Sequence, residues 1–417
     1  MKTADIIIVG AGPAGLFTAI QCIDKSVLVL EKNESPGKKL LISGTGRCNI
    51  TNDCKLSDFY EHYGANYRFL KTALNCFTNY DLIAFFEQNG LETNVDKNGK
   101  VFPATQKSRD VLQVLVDKCK QNKVEISYNQ NVMSIEKAAG RFILKTDLAA
   151  FSSRFLVIAT GGMSYPLTGS TGDGYHFAKQ LGHSIHPPKP SLSPVFVKDY
   201  LMASISGVSV QDKMIYLYRD EKKISEHRGD IGFTHKGLSG PGILDFSRQI
   251  LSGDVLKMNL IDIKPDNFRN EILLSSTKEG KTTLQTYLKK YELPRSLLLL
   301  VLQAIAVEPE IRMAEITKIE RNKLVAALCE FPFIIEKVGG FNMAMVTAGG
   351  VKLNEVNPKT MESRLVTGLY FAGEVLDIDG DTGGYNLQAA FSMGFLAGKV
   401  ISGTEDGQQM YPNSNTV

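Results

Sequence analysis

The sequence predicts an α/β chain: one largely parallel α/β domain assembled from both chain ends, interrupted by an antiparallel β-barrel-like domain and a helical subdomain. Three observations predict it. An apolar run, Asp5 to Val9, meets a glycine turn and then a helical stretch. A second β run, glycine-rich loop and apolar helix return near the other end, from Gly368 to Gly403. Between them the pattern changes at a proline cluster, His186 to Pro190, first to hairpin-like runs and then to Leu/Lys/Glu-rich helix.

Taken in order, the first part alternates short β-rich runs (Asp5 to Val9, Val27 to Leu30, Glu125 to Tyr128, Phe155 to Ala159) with helical stretches at Tyr67 to Asn89 and Ser108 to Asn122. Such alternation predicts a largely parallel sheet. The prolines at 187, 188 and 190 stiffen the chain and mark a boundary. Beyond it, Lys213 to Tyr218, a polar turn at Asp220 to Lys223, and Val255 to Leu260 read as hairpins of a small sheet or barrel. From Pro265 to Glu330 the chain turns helical, with Leu284, Leu288 and Tyr291 roughly a turn apart.

Composition narrows the chemistry. With 417 residues, 43% hydrophobic and 22% charged, the chain can bury a large core and divide into two or three domains. A formal charge of +3 and only short basic clusters, such as Lys32 to Lys39, give no nucleic-acid footprint. A small-molecule partner is therefore expected, and a nucleic acid is not. The six cysteines have no CxxC pair and no matching His spacing, which argues against a metal site and a disulfide framework and fits a reducing cytoplasm. No signal-peptide pattern follows Ile6 to Val9, and Leu297 to Val307 is shorter than the roughly 20 residues that span a bilayer, so a cytoplasmic protein without membrane association is expected. The oligomeric state is left open.

Gly10, Gly12 and Gly15, with Ala11, Pro13 and Ala14 between them, satisfy G-x-G-x-x-G directly after the apolar strand and at the start of a helix. The first glycine permits the tight turn, the second lets backbone approach a pyrophosphate, and the third lets helix pack on strand. The helix N-terminus faces the negative charge. Pro13 is tolerated in the first turn, where its missing N–H has no intrahelical role. The second strand ends in Glu31, placed to accept both ribose hydroxyl protons of an adenosine and to repel a 2′-phosphate. This much fits FAD and NAD equally.

The C-terminal segment separates them. Thr367 to Glu374, including Gly373, then Asp377 to Asp381 and Thr382-Gly-Gly-Tyr-Asn386, lead into the helix Leu387 to Val400. Its N-terminal amides, near Tyr385 to Gln388, would stabilise charge gathering on the N1/O2 edge of a reduced flavin. A simple NAD dehydrogenase has no use for it. The cofactor expected is FAD, held in a Rossmann-type domain.

Four further runs carry a resemblance: Gly37 to Asn52 (GKKLLISGTGRCNITN), Phe233 to Pro241, Val346 to Val351 and Gly368 to Glu374. Over nearly the whole chain the sequence resembles the BaiN/YhiN-type bacterial flavoproteins, described as NAD(P)/FAD-dependent oxidoreductases, one branch of which reduces bile acids; that steroid activity is not carried over. The resemblance implies a discontinuous FAD-binding Rossmann-type domain (1–188 and 350–417), an inserted β-barrel-like domain (189–262 and 334–349) and a helical insert (263–333). It also implies that Lys32, Lys39, Leu40, Glu374, Asn386, Leu387 and Gln388 contribute to the cofactor site, and that Val132 meets the adenine through its backbone.

Within the first of those runs, Ser43, Gly44, Gly46, Arg47, Cys48 and Asn49 form a loop rich in N–H groups, suited to pyrophosphate or the flavin pyrimidine edge, or serving as a structural turn. Cys48 is either a redox thiol or a small buried hydrophobe. Thr160, Gly161 and Gly162 follow an apolar strand and bring backbone toward the adenosine side, a pattern shared with fumarate-reductase-type flavoproteins, while Asp173 either joins them or caps its helix. His235, in the Thr-His-Lys-Gly loop, is the expected proton donor, weighed against a loop histidine held by backbone. No second G-x-G-x-x-G follows residue 15, so NAD(P)H, as donor, is expected to visit only transiently. The function expected is an FAD-dependent oxidoreductase reducing a small unsaturated or carbonyl-containing molecule, or oxygen, at a cleft between the FAD and barrel domains. The alternatives are a noncatalytic flavin-binding redox sensor, a flavin-free NAD dehydrogenase and, most remotely, a nucleic-acid-modifying flavoprotein.

Overall fold

The computed structural model describes residues 1–403; residues 404–417, the end of the expected 350–417 segment, lie outside the described residues. The chain divides into two compact units, Met1–Pro190 with Met345–Val417, and Ser191–Ala344.

The first unit is built on a seven-stranded sheet. Its parallel part runs in the order Glu125–Ser127, Val27–Leu30, Lys2–Val9, Ala150–Ile158, Leu369–Phe371. The strands are short and rich in Val, Ile, Leu and Phe, as sheets covered on both faces require; Ile6, Ile7 and Ile8 are fully buried. A hairpin, Val132–Ala138 and Arg141–Thr146, extends the sheet antiparallel along Ala150–Ile158. It turns at Ala139 and Gly140, both at positive φ, the geometry that suits two-residue hairpins.

Helices from opposite ends of the chain meet on this sheet. Pro13–Gln21 packs against the C-terminal helix Tyr385–Gly403. The contact is close because the C-terminal helix presents Gly394 and Gly398. A Cβ at Gly394 would lie 2.6 Å from the Ala14 carbonyl oxygen, and one at Gly398 2.5 Å from that of Thr18. The expected single helix Tyr67 to Asn89 is two, Tyr67–Cys76 and Asn79–Gln88. They part at Thr78, whose hydroxyl accepts from Asp81 N–H while the Asp81 carboxylate accepts from Thr78 N–H, a capping box.

In the second unit six antiparallel strands close on themselves, in the order Val195–Val197, Gly237–Ser239, Lys222–Phe233, Ser209–Arg219, Val255–Asn259, Phe331–Val338. Side chains alternate: Ile215, Leu217, Leu256, Met258, Phe333 and Ile335 are buried, while Tyr216, Tyr218 and Lys257 are partly exposed. The helices Pro265–Lys278, Leu284–Leu288, Arg295–Ala304 and Lys318–Cys329 lie in the chain between Val255–Asn259 and Phe331–Val338.

Two expectations about organisation are corrected. The helical stretch 263–333 is not a separate unit: Phe268, Leu284, Leu297 and Leu328 share one hydrophobic core with the barrel. The last barrel strand begins at Phe331, inside that stretch, whereas Val346–Val351 leaves the barrel and pairs with Ile185–Ser191 in the first unit. Glycines make this possible, since a Cβ at Gly349 would lie 2.6 Å from the Pro187 carbonyl oxygen. The proline cluster forms an edge strand, and the boundary between the two units follows it directly at Pro190; in a two-stranded sheet each strand has one free side, where absent N–H groups are tolerated.

Candidate functional site

Register places the site. Val9 lies beside Leu30 and Ile158, and Ile158 beside Phe371, so Gly10, Glu31, Ala159 and Ala372 leave the sheet together at its carboxyl edge. That edge is where open α/β sheets bind their ligands. All the expected cofactor residues belong to this first unit; His235 belongs to the second, on an exposed turn beside Thr234, whose hydroxyl accepts from Gly237 N–H.

The N-terminal turn is tightly determined. Gly10 has φ +107°, and a Cβ on it would sit 2.5 Å from the Ala159 carbonyl oxygen; a Cβ on Gly15 would sit 2.0 Å from that of Gly10. Gly12 differs. It has an ordinary extended conformation (φ −85°) and caps the helix that Pro13 begins. A Cβ there would meet nothing within 4 Å. The open space lies in front of a helix N-terminus, where an anionic group is favoured.

Glu31 is buried and already heavily engaged. Its Oε2 accepts from Ala11 N–H (2.9 Å), and its Oε1 accepts from the backbone and side-chain N–H of Asn33 (2.9 and 2.7 Å). Of about four acceptor positions on a carboxylate, one is left. The sequence expectation of two ribose hydroxyls is therefore reduced to one, on Oε2. Val132 begins the hairpin strand close by: Gln130 N–H donates to the Glu31 carbonyl oxygen at 2.9 Å.

The loop Ser43 to Asn49 has Gly44, Thr45, Gly46 and Cys48 at positive φ, a curled backbone of the kind that can make anion-binding concavities; the N–H groups of Arg47 and Cys48 are spent on Gly44 O (3.2 Å) and Ser43 O (3.0 Å). Arg47 stacks over Phe102 at 4.6 Å. Cys48 is fully buried, and burial pushes its thiol up to about 12, so it stays protonated at neutral pH; this is the small-hydrophobe alternative rather than the redox thiol. Leu40 is core, with its carbonyl accepting from the Ser43 hydroxyl at 2.7 Å.

Several expected contacts are spent inside the protein. Lys39 pairs with Glu374 (2.7 Å) and with the Ser164 hydroxyl, while the other Glu374 oxygen accepts from Thr347 N–H at 2.7 Å. This network braces the N-terminal loop to the C-terminal segment around Gly162 and Gly373. Lys32 bridges Thr171 and Asp173, both at 2.6 Å. Gln388 is fully buried between Thr51, Phe77 and Ser392. Asn386 closes its own loop, accepting from Gly380 N–H and donating to Gly380 O, both at 2.8 Å. Leu387 is partly buried in the same first turn. With these side chains spent inside the protein, what the helix start can offer a ligand is its first backbone N–H groups, which have no intrahelical acceptor.

Two buried side-chain oxygens on this edge, Asn49 Oδ1 and Thr160 Oγ1, have no hydrogen-bond partner. Buried polar atoms are seldom left so. Together with the open space at Gly12 and the concave Ser43 to Asn49 backbone, they fit FAD: Gly12 and the helix start for the pyrophosphate, Glu31 for the adenosine ribose, the C-terminal helix start for the flavin. Among the described residues no group of three His, Cys, Asp or Glu could hold a metal ion, and no helix is long and apolar enough to cross a membrane.

One arrangement at this edge was missed in the sequence. His62 meets Asp381 (Nδ1 to Oδ2, 3.0 Å) and stacks on Tyr385, 3.8 Å between ring centroids. The partners are more than 300 positions apart, and no local signal links them.

Residues 4–400 match the family described as HI0933-like protein Rossmann domain. The chain is 32% identical to a ribosomal RNA dihydrouridine synthase of Escherichia coli over 94% of its length and 96% of that protein's. It is 33% identical to the enzyme of the same name from Haemophilus influenzae (95% and 98%). It is 31% identical to a 3-dehydro-bile acid delta(4,6)-reductase of Clostridium scindens (95% and 98%).

Proposed function

Because this chain belongs to the HI0933-like Rossmann-domain family, we propose that it is an FAD-dependent reductase that saturates a carbon–carbon double bond conjugated to a carbonyl. The observation that carries this is the pair of glycine segments, Gly10 to Gly15 and Gly373 to Gly384, brought from opposite chain ends to one sheet edge. The names of the relatives point to one chemistry. Converting uridine to dihydrouridine saturates a ring double bond conjugated to a carbonyl, and a delta(4,6)-reductase acting on a 3-dehydro bile acid saturates double bonds of the same kind.

FAD, when bound, supplies two-electron transfer. The chain positions it and sets its charge environment. The backbone from Gly10 to Gly15 holds the pyrophosphate, Glu31 accepts one ribose hydroxyl through Oε2, and Asn49 and Thr160 give their unpartnered oxygens to its N–H and O–H groups. The first turn of Tyr385–Gly403 favours negative charge at the flavin N1/O2 edge. The donor in this reading is NAD(P)H, visiting transiently, since the chain has one G-x-G-x-x-G.

The acceptor proposed first is uridine in ribosomal RNA, because two relatives from different bacteria carry that name. The second is a small-molecule enone, which the near-neutral charge of +3 and the bile acid reductase favour. The purified yellow protein, reduced anaerobically with NADH or NADPH, is offered ribosomal RNA or an enone panel including 3-oxo-4-ene steroids. Flavin reoxidation with a gain of two hydrogens in uridine supports the first, and saturated enone the second. Reoxidation by neither refutes the reductase reading and favours a noncatalytic redox role.

A further inference from the structure

The segment Tyr60–Asn66 does nothing in the function described so far, yet it is clasped to the loop that opens the C-terminal helix. Asp381 N–H donates to the His62 carbonyl oxygen (3.0 Å), Tyr63 hydroxyl donates to the Tyr385 carbonyl oxygen (2.8 Å), and Asn66 donates to that of Asp377 (2.8 Å). Tyr63 is buried, and burial keeps its hydroxyl protonated far above neutral pH. These bonds fix His62 at the start of the helix whose first turn is assigned to the flavin.

The molecule has other histidines next to carboxylates, and they show what a structural pair looks like. His183 has its side chain fully buried, with Glu355 on Nδ1 (3.1 Å) and Ser363 on Nε2 (2.8 Å), so both nitrogens are used. His186 pairs with Asp377 but is 54% exposed. His62 differs from both. Its ring is held flat on Tyr385 at an interplanar angle of 18°, Nδ1 is tied to Asp381, and Nε2 has no hydrogen-bond partner among the described residues. Its side chain is 34% exposed, open to solvent protons.

We propose that His62 is the proton donor of the reduction and that Asp381 is its positioning residue. The proposal rests on the reductase reading above. A carboxylate on Nδ1 holds the neutral ring's proton on that nitrogen and fixes the ring's orientation, leaving Nε2 as the atom that gives and regains a proton. In the step, the β-carbon of the acceptor takes the hydride supplied by reduced FAD, and the π electrons move toward the carbonyl. The Nε2–H bond of the imidazolium breaks and its proton goes to the α-carbon. The acceptor gains two hydrogens, one as the hydride whose two electrons come from reduced FAD and one as the proton from His62, which is reprotonated from water.

The test uses the FAD-loaded full chain as wild type, His62→Gln, Asp381→Asn and, as a control outside the site, His186→Gln. With an acceptor that reoxidises the wild type, His62→Gln is expected to slow reoxidation about 100-fold, within the range for loss of a general acid. Its reduction by NAD(P)H should change little, and His186→Gln should behave as wild type. Independently of turnover, nitrogen NMR of histidine-labelled protein should show His62 as the Nδ1–H tautomer in wild type and as Nε2–H in Asp381→Asn. Unchanged reoxidation in His62→Gln, or an Nε2–H tautomer in wild type, overturns the proposal while the reductase reading stands. If neither RNA nor any enone reoxidises the wild type, both fall.

Discussion

Gly12→Ala separates what the phosphate turn does for the fold from what it does for the cofactor. Gly12 has an extended conformation that alanine adopts freely, and its Cβ would meet no protein atom within 4 Å. Exchanging glycine for alanine at a helix N-cap costs roughly 0.5–1 kcal/mol, offset by the roughly 0.4–1 kcal/mol gained from a less flexible unfolded chain. The apoprotein should melt as wild type does. The added methyl occupies the space through which backbone N–H groups reach the pyrophosphate. Losing two charge-assisted hydrogen bonds at about 1.5 kcal/mol each gives about 3 kcal/mol, or about 100-fold in affinity at about 1.4 kcal/mol per tenfold. Gly15→Ala is the counterpart: its Cβ would lie 2.0 Å from the Gly10 carbonyl oxygen, so the apoprotein itself should lose about 1–3 kcal/mol through overpacking. Apoprotein melting and FAD titration by flavin fluorescence give both quantities. Gly12→Ala protein that binds FAD like wild type, or whose apoprotein is destabilised as much as Gly15→Ala, would refute the reasoning.

Three further outcomes follow. Gly398→Ala, whose Cβ would lie 2.5 Å from the Thr18 carbonyl oxygen, should cost about 1–3 kcal/mol in thermal unfolding and weaken FAD binding, because the helix it displaces carries the phosphate turn. Cys48, buried and pushed up to about 12, should resist iodoacetamide at pH 7.5 in the native protein, read by peptide mass mapping, and Cys48→Ala should keep its flavin. Stability should fall on acidification in two windows. Burial holds His183 below its usual 6.5 despite Glu355, so below pH 6.5 the unfolded chain takes up a proton that the folded one refuses. Against the opposing effect of burial, Ser184 N–H and His183 hold the Glu355 carboxyl below its usual 4.5, so its contribution is present above pH 4.5 and lost as pH drops through the lower folded value. Chemical denaturation at stepped pH should show His183→Gln losing the first window.

What could be read from the sequence was what is written locally. Gly10 to Gly15 with Glu31, and the Gly373 to Gln388 segment, announce themselves because strand, turn and helix are contiguous. Their meeting depends on Val9, Ile158 and Phe371 lying in register, which the recurrence of style at the two ends only suggested. The hairpin at Ala139 and Gly140 was missed because an Ala-Gly turn lacks the usual Asn or Asp, and the proline strand because prolines read as breakers unless an edge is known to be free. Gly394 and Gly398 looked like ordinary glycines of an apolar helix; only the partner backbone explains their spacing. Glu374, Gln388 and Asn386 lie in the C-terminal glycine segment as the sequence reads, but which side chains the protein consumes internally is a property of the packed structure. His62 and Asp381 could not be paired from sequence at all.

The most direct measurement is the flavin content and nucleotide binding of the purified full chain. Heat denaturation followed by chromatography should release FAD at about one molecule per chain, and calorimetry on the FAD-loaded protein should find only weak NADH and NADPH binding. A colourless protein that takes up no FAD, or one that binds a nicotinamide nucleotide tightly in the Gly10 to Gly15 turn, would contradict the account.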